Sequence, residues 1–405
     1  MKIWLINHYA VPPRFYPLIR QTNFAKYLQK MGHEVLIFAA STVHNSDINL
    51  IDDEDKYKEV EEEGVHYVLV KCRNYHGNGI SRIWNMCEFA LKLRSVCKHY
   101  ARPDAIVATS MPPMSCATGI ALAKKYRCLG VAEIADLWPE SLIVYGIAKE
   151  KSIPVMLLRR LEKWIYTHAD KVIFTMDGAY DYIKEQHWEN KVPKEKVFFI
   201  NNGVDLSAFD ENREKYTIQD DDLENDKIYK IVYTGSVRKV NNLGILLDVA
   251  KRIQDETIKF LIWGDGNEKS YLEQRLIEEN IHNVIFKGRV DKKYIPYITS
   301  RADLNYMHGE SSPLFRFGLS ANKLFDYFAA GKPIFSDLNV KYNPITIWKA
   351  GIDIEDSSIE NIADKILQMR KMPQEEYLSY CRNARIAAEN YDFKKLTTDL
   401  ADILK

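Results

Sequence analysis

Ile231-Val232-Tyr233-Thr234-Gly235-Ser236-Val237-Arg238-Lys239 is a short β-rich run that ends on a glycine turn, and an apolar helical pattern over residues 243–253 follows it. The same order of strand, turn and helix then recurs. Residues 260–262, 284–286, 304–306 and 333–335 read as strands, with helices near 268–279 and 323–330. Upstream, residues 3–7, 35–39, 66–70, 105–109, 131–134, 172–175 and 197–200 read the same way, and a helix from residue 20 stops at Gly32. Most of these runs are apolar on both faces, as buried parallel strands are. Alternation of this kind marks parallel sheets covered by helices on both faces.

A chain of 405 residues exceeds what one core usually supports, so two domains are expected. Between the two series of strands, residues 210–227 are polar and acidic and read as a linker or a long surface excursion. Residues 52–63 read as a mobile acidic loop. The expectation is an α/β protein with two Rossmann-like domains, residues 1–205 and 206–385, facing each other across a cleft. A helix over about 386–405 is placed to cross back to the first domain.

Bulk properties exclude several classes of function. Lys plus Arg and Asp plus Glu each number 56, which argues against nucleic acid as the main partner. The six cysteines are scattered without C-x-x-C pairs, so neither a zinc site nor a disulfide framework is indicated, and reduced cytoplasmic thiols are expected. The opening apolar run is too short for a signal peptide, and no segment approaches the roughly 20 apolar residues of a membrane-spanning helix. The expected location is cytoplasmic, with any membrane contact peripheral.

In open parallel sheets, ligands bind beyond the carboxyl ends of strands, so the strand-to-helix turns carry the candidate residues. At Ser320-Ala321-Asn322-Lys323-Leu324-Phe325-Asp326, the first-turn N–H groups of a helix offer a diphosphate site. Asp326 lies one turn on, where a carboxylate can accept from vicinal ribose hydroxyls. A plain amphipathic helix with Asp326 in solvent is the alternative. At Gly235-Ser236-Val237-Arg238-Lys239, the glycine admits a close backbone approach, and two cations can stabilise a leaving diphosphate. Gly264-Asp265-Gly266 meets a nucleobase or makes a tight turn. In the first half, Asp136 and Trp138 stand at a strand end. Asp136 either hydrogen-bonds a sugar or acceptor hydroxyl or caps the next helix. His8, Arg14 and Arg20 are placed on the acceptor side. Asp220-Asp221-Asp222 imitates an acidic metal-binding triplet, but it falls in the polar linker and reads as a solvated charge run.

Taken together these residues resemble glycosyltransferase family 4, the retaining enzymes of GT-B fold, along the whole chain. Asn202-Gly203-Val204-Asp205, Gly264-Asp265-Gly266, Phe286-Lys287-Gly288 and Ala302-Asp303 match in order and spacing. Residues 133–141 and 312–327 are similar to the branch that builds capsule and O-antigen polysaccharides. The resemblance implies an N-terminal acceptor-side domain, a C-terminal nucleotide-sugar domain and a hexosyltransferase needing no metal or other cofactor. It also implies a donor linked to a nucleoside diphosphate, uridine by family habit, and a glycan or lipid-linked acceptor. Catalytic roles fall to Asp136, Arg238 and Lys239. Donor contacts fall to Gly235, Ser236, Gly264, Asp265, Gly318, Leu319, Ser320, Asn322, Lys323, Leu324 and Asp326.

The chain departs from the pattern at three places. Gly318 stands eight residues before Asp326 where the family's first glutamate is usual, with the backbone around 317–319, or Glu310, as the substitute. Ser236 and Asn241 stand where an arginine and a lysine are usual. Arg14-Phe15-Tyr16-Pro17 replaces a Gly-Gly turn. Membrane contact is expected at residues 82–102 and 153–168, which mix apolar residues with Lys and Arg. Rival readings are a nucleotide-sugar epimerase of the same fold and a non-catalytic partner in a polysaccharide assembly complex. A nicotinamide dehydrogenase is disfavoured because no G-x-G-x-x-G turn follows the first strand.

Overall fold

The computed structural model describes residues 1–15, 19–44, 46–77, 79–253 and 255–405. Its strands are β1 (Lys2–Ile6), β2 (Glu34–Ala40), β3 (Tyr57–Glu62), β4 (Val65–Val70), β5 (Ala105–Thr109), β6 (Leu129–Ile134), β7 (Lys171–Phe174) and β8 (Val197–Phe199), followed by β9 (Tyr229–Thr234), β10 (Ile258–Trp263), β11 (Val284–Gly288), β12 (Leu304–Met307), β13 (Ile334–Ser336) and β14 (Gly351–Asp353). They form an eight-stranded sheet in the order β3-β4-β2-β1-β5-β6-β7-β8 and a six-stranded sheet in the order β11-β10-β9-β12-β13-β14. The chain divides into two compact units, 1–201 with 393–405, and 202–392.

In the first unit β1 lies between β2 and β5, with Ile3 opposite Val35 on one side and Ala105 on the other. Every residue of β1 after Lys2 is buried, because helices cover both faces of a parallel sheet. The order of strands reverses at β1 and β5, which makes their carboxyl ends a switch point. The helix Phe393–Ile403 belongs to this unit, and Phe393 meets Phe24 edge to face at 5.7 Å.

Residues 52–63 are not the expected loop. They include β3, which pairs antiparallel with β4 through partners such as Val60 and Tyr67. Its sequence Tyr-Lys-Glu-Val-Glu-Glu puts charge on an edge strand, where it discourages pairing with another chain.

The second unit is parallel throughout. The segment 210–227 is not a plain linker: its start is helical and a later leucine is buried. Leu206–Lys215 is a helix capped by Asp205, whose carboxylate accepts from the Ala208 N–H at 3.1 Å. Beyond it Leu223 is fully buried and packs with Val232, Leu261 and Ile298. The unit begins at 202 rather than 206 because Val204 donates its N–H to the Tyr391 carbonyl at 3.0 Å, tying the segment's two ends together. The returning segment begins at 393 instead of about 386, because residues 386–390 continue the helix Gln374–Asn390, which Arg385 ties to the Ala329 carbonyl of the second unit.

Candidate functional site

The second unit brings most of the expected donor residues to the carboxyl ends of β9, β10 and β12. After β9, the Gly235 N–H donates to the Trp263 carbonyl at 3.0 Å and the Val237 N–H to the Asp265 carbonyl at 2.9 Å. The turns after β9 and β10 therefore stay zipped beyond the sheet. A Cβ on Gly264 would lie 1.7 Å from the Gly235 carbonyl oxygen, and one on Gly266 would lie 2.1 Å from that of Val237. This backbone-to-backbone approach explains the Gly-Asp-Gly sequence. The Asp265 carboxylate turns back to the Gly266 N–H at 2.9 Å.

Ser236 and Asn241 bond each other, Oγ to Oδ1, at 2.8 Å. Arg238 and Lys239 are exposed, and among the described residues neither makes an ion pair or side-chain hydrogen bond. They are free to meet an anion.

The helix Asn322–Ala330 starts opposite this turn without a side-chain cap, Ala321 occupying the N-cap. Its opening N–H groups carry the partial positive charge of a helix N-terminus. The Tyr327 hydroxyl receives the Thr234 N–H at 2.9 Å and so fixes the helix against the end of β9. Leu324 is buried and anchors the first turn. Lys323 reaches over the Tyr233 ring at 4.1 Å. Desolvation brings its ammonium down to about 7, with Asp337 acting in the opposite sense. Burial raises the Asp326 carboxyl, against the pull of Lys292, and among the described residues no hydrogen bond engages that carboxylate.

The loop before this helix is shaped by Gly318, whose φ of +116° is open chiefly to glycine. Phe317 and Leu319 are buried on either side. Ser320 is held by Asn202, which donates its side-chain amide to the Ser320 carbonyl at 3.0 Å. The Asn-Gly-Val-Asp stretch thus supports the donor loop with Asn202 and caps a helix with Asp205.

Two positioning groups were not foreseen. His308, at the end of β12, sets Nδ1 2.7 Å from Asp337 and Nε2 3.0 Å from the Asn242 carbonyl. A carbonyl only accepts, so Nε2 carries a proton there. Tyr306 donates to the same Asp337 oxygen at 2.9 Å, and the Glu310 N–H donates to the Val240 carbonyl at 3.2 Å. The strand-end loop therefore grips the turn that carries Arg238 and Lys239. The available signal was a histidine directly after a buried strand. Lys287 was placed by its motif, but its role was not. It pairs with Asp220 at 2.7 Å and Asp222 at 2.6 Å, so the acidic triplet is a structural ion-pair cluster and not a solvated run.

In the first unit, Asp136 accepts from the Ser141 hydroxyl at 2.5 Å. Burial raises its carboxyl, and hydrogen bonds lower it. The cap of the helix Glu140–Val144 is Pro139, so Asp136 does not cap it. Trp138 is half-buried beside it.

The expected acceptor-side residues separate. His8 is fully buried, between Tyr9 at 4.6 Å and Phe89 at 5.0 Å. Desolvation depresses it to about 3, which keeps the ring neutral. It therefore presents nothing to an acceptor. Arg20 is also buried. It pairs with Glu133 at 2.9 Å and donates to the Asn201 and Ile200 carbonyls at 2.6 and 2.9 Å. Gln21 and Thr109 complete the shell around Glu133 at 2.9 and 2.7 Å. Arg20 thus holds the end of the first unit's chain and does not face an acceptor. Arg14 is exposed and pairs with Glu62 of β3 at 2.9 Å. Tyr16 and Pro17 of the same departure lie outside the described residues.

Two parallel-sheet units with ligand-ready turns at the strand ends place this chain among the two-domain α/β proteins. Its family follows from the sequence: the chain belongs to the glycosyltransferases, matching the Glycosyl transferase 4-like domain over residues 19–203 and Glycosyl transferases group 1 over residues 214–387. It is 23% identical over 259 residues to the probable glycosyltransferase WbjE of Pseudomonas aeruginosa, covering 64% of this chain and 62% of that protein. It is 24% identical over 275 residues to the putative colanic acid biosynthesis glycosyl transferase WcaI of Escherichia coli K12, covering 65% and 66%. The chain thus spans just under two thirds of either relative. Among solved structures it is similar to Anabaena HepE in complex with UDP and glucose, with a TM-score of 0.66, 14% identity and coverage of 100% and 99%. That likeness establishes the GT-B fold.

Proposed function

We propose that this chain is a metal-independent, retaining glycosyltransferase of surface polysaccharide biosynthesis that moves a sugar from a nucleoside-diphosphate donor to a glycan or lipid-linked acceptor. The observation that carries this reading is the cationic cluster at the strand ends of the second unit. There an uncapped helix N-terminus, the free Arg238 and Lys239, and the amine of Lys323 surround a turn whose backbone is locked by Gly235 and Gly264. An anion is what such a site holds best. The unengaged Asp326 carboxylate, one turn along the same helix, suits the vicinal hydroxyls of a ribose. Uridine is favoured because HepE was solved with UDP and glucose.

Retention without a protein nucleophile calls for front-face displacement. The C1–O bond to the diphosphate breaks as the acceptor oxygen arrives, and the acceptor proton passes to the leaving phosphate. Electrostatic stabilisation of that phosphate is then the main task of the protein. Asp136 and Trp138 are the first unit's candidates for the acceptor. The backbone at Gly318 and Leu319 takes the donor sugar in place of the absent glutamate.

Attachment to a membrane surface belongs to the same reading. Ile80, Ile83, Trp84 and Leu91 form an exposed stripe on the helix Ile80–Val96, with Trp84 62% exposed. Ile153, Met156 and Leu157 are exposed on Ile153–His168. Lys and Arg flank both, as in helices that lie in a lipid interface. No helix among the described residues is long and apolar enough to cross a membrane.

The test is consumption of nucleotide sugars. Acceptor-dependent release of one nucleoside diphosphate in the presence of chelator, lost in Asp326→Ala, is expected. Turnover of the donor to an isomer without acceptor would favour an epimerase, and no turnover would favour a non-catalytic role.

A further inference from the structure

In the turn after β9, Ser236 and Asn241 satisfy each other. No cation is anchored against the backbone of that turn by its own residues, because Arg238 and Lys239 stand on its exposed rim. One amine reaches the turn from another element. Lys323 Nζ lies 4.1 Å from the centre of the Tyr233 ring, and 3.4 Å from the point a Cβ on Gly235 would occupy. Its hydrogen bond goes to the His308 carbonyl at 3.4 Å, and among the described residues no carboxylate lies within ion-pair distance.

We infer that Lys323, rather than Arg238 or Lys239, is the catalytic cation that meets the departing diphosphate, reaching the turn from the neighbouring helix. This inference rests on the donor reading of the same site.

The physical case is one of preorganisation. A half-buried amine seated on an aromatic face needs little rearrangement when charge develops beside it. A flexible rim side chain must first lose rotamer freedom. As the C1–O bond breaks, its electron pair moves to the diphosphate oxygen, and an N–H of Lys323 donates to the oxygen where that charge grows. The groups around the amine agree with this assignment. Asp337 is engaged by His308 and Tyr306, Tyr233 faces it from β9, and Asp326 lies one turn further along its own helix. Desolvation by burial holds the amine near 7. A bound diphosphate restores the preference for the charged form, so binding above that pH takes up a proton.

The experiment is calorimetric titration at pH 8 with UDP, GDP, ADP and dTDP, in two buffers of different ionisation enthalpy, on wild type, Lys323→Met, Lys323→Arg, Arg238→Ala and Lys239→Ala. Wild type should bind one of these with net proton uptake. Lys323→Met should lose roughly ten- to a hundredfold in affinity, the span of one charged hydrogen bond, together with the uptake. Lys323→Arg should keep most of the affinity without the uptake, because arginine is charged throughout. The two rim variants should keep the uptake. Wild-type affinity in Lys323→Met, or proton uptake persisting in Lys323→Arg, would overturn the inference and leave the donor reading standing. A wild type that binds none of the four would remove the donor reading itself.

Discussion

Gly264→Ala tests how strictly the donor turn depends on the contact between the turns after β9 and β10. The added methyl would begin 1.7 Å from the Gly235 carbonyl oxygen, whereas real Cβ atoms essentially never approach closer than 3.0 Å. The two turns must therefore part by at least 3.0 − 1.7 = 1.3 Å. That movement strains the hydrogen bonds from Gly235 to Trp263 and from Val237 to Asp265. Two such bonds are worth about 1–3 kcal/mol together, and forcing extra volume into a packed site adds about 1–3 kcal/mol. The expected loss is about 2–6 kcal/mol in urea unfolding followed by circular dichroism. A shift of that size also moves the Gly235 turn against which Lys323 is seated, for which a ~10²-fold loss of turnover is typical. Unchanged unfolding and unchanged nucleoside diphosphate affinity would refute the reasoning.

Three further outcomes follow from the first unit. Burial pushes the Glu162 carboxyl up to about 8, against the hydroxyls of Tyr166 and Tyr182 that donate to it. The folded state then holds a proton that the unfolded chain releases above about 4.5, so stability falls as pH rises from about 4.5 to 8. His8, depressed from 6.5 to about 3, has the opposite slope below 6.5 and offsets this there. From pH 6.5 to 8 Glu162 contributes a decline of roughly 1.4 kcal/mol per pH unit, offset above about 7 by Lys323, whose depressed amine has the opposite slope, and the Glu162 contribution should vanish in Glu162→Gln, as read from unfolding at several pH values. Arg20→Met leaves Glu133 buried without its cation and should cost about 3–5 kcal/mol in the same assay, whereas a solvated acceptor-side arginine would cost almost nothing. Trp84→Glu combined with Leu91→Glu should abolish co-flotation with anionic vesicles at unchanged circular dichroism, and equal flotation would remove these residues from any membrane contact.

The buried strands were legible because runs such as those of β1 and β5 are apolar on both faces, a pattern with few alternatives. β3 was hidden by its own function as an edge, since Tyr-Lys-Glu-Val-Glu-Glu carries the charges that also mark a loop. The segment from 210 to 227 misled for a related reason. Two of its acidic residues, Asp220 and Asp222, are paired with Lys287, and one leucine, Leu223, supplies the anchor, so composition outweighed a single buried side chain. At the site, glycines and helix starts could be placed from local sequence. The fates of His8 and Arg20 could not, because they depend on partners more than eighty residues away, Phe89 and Glu133, that no local pattern names. His308 and Asp337 were missed likewise, twenty-nine residues apart and joined only when β12 and β13 pair.

The most direct test of the account is incubation of the purified chain with UDP-, GDP-, ADP- and dTDP-linked sugars and a lipid-linked glycan extract, scoring released nucleoside diphosphate and the anomeric configuration of the product by NMR. The account predicts acceptor-dependent release from one donor with retained configuration and no need for added metal. Failure to consume any donor, or a product of inverted configuration, would contradict it.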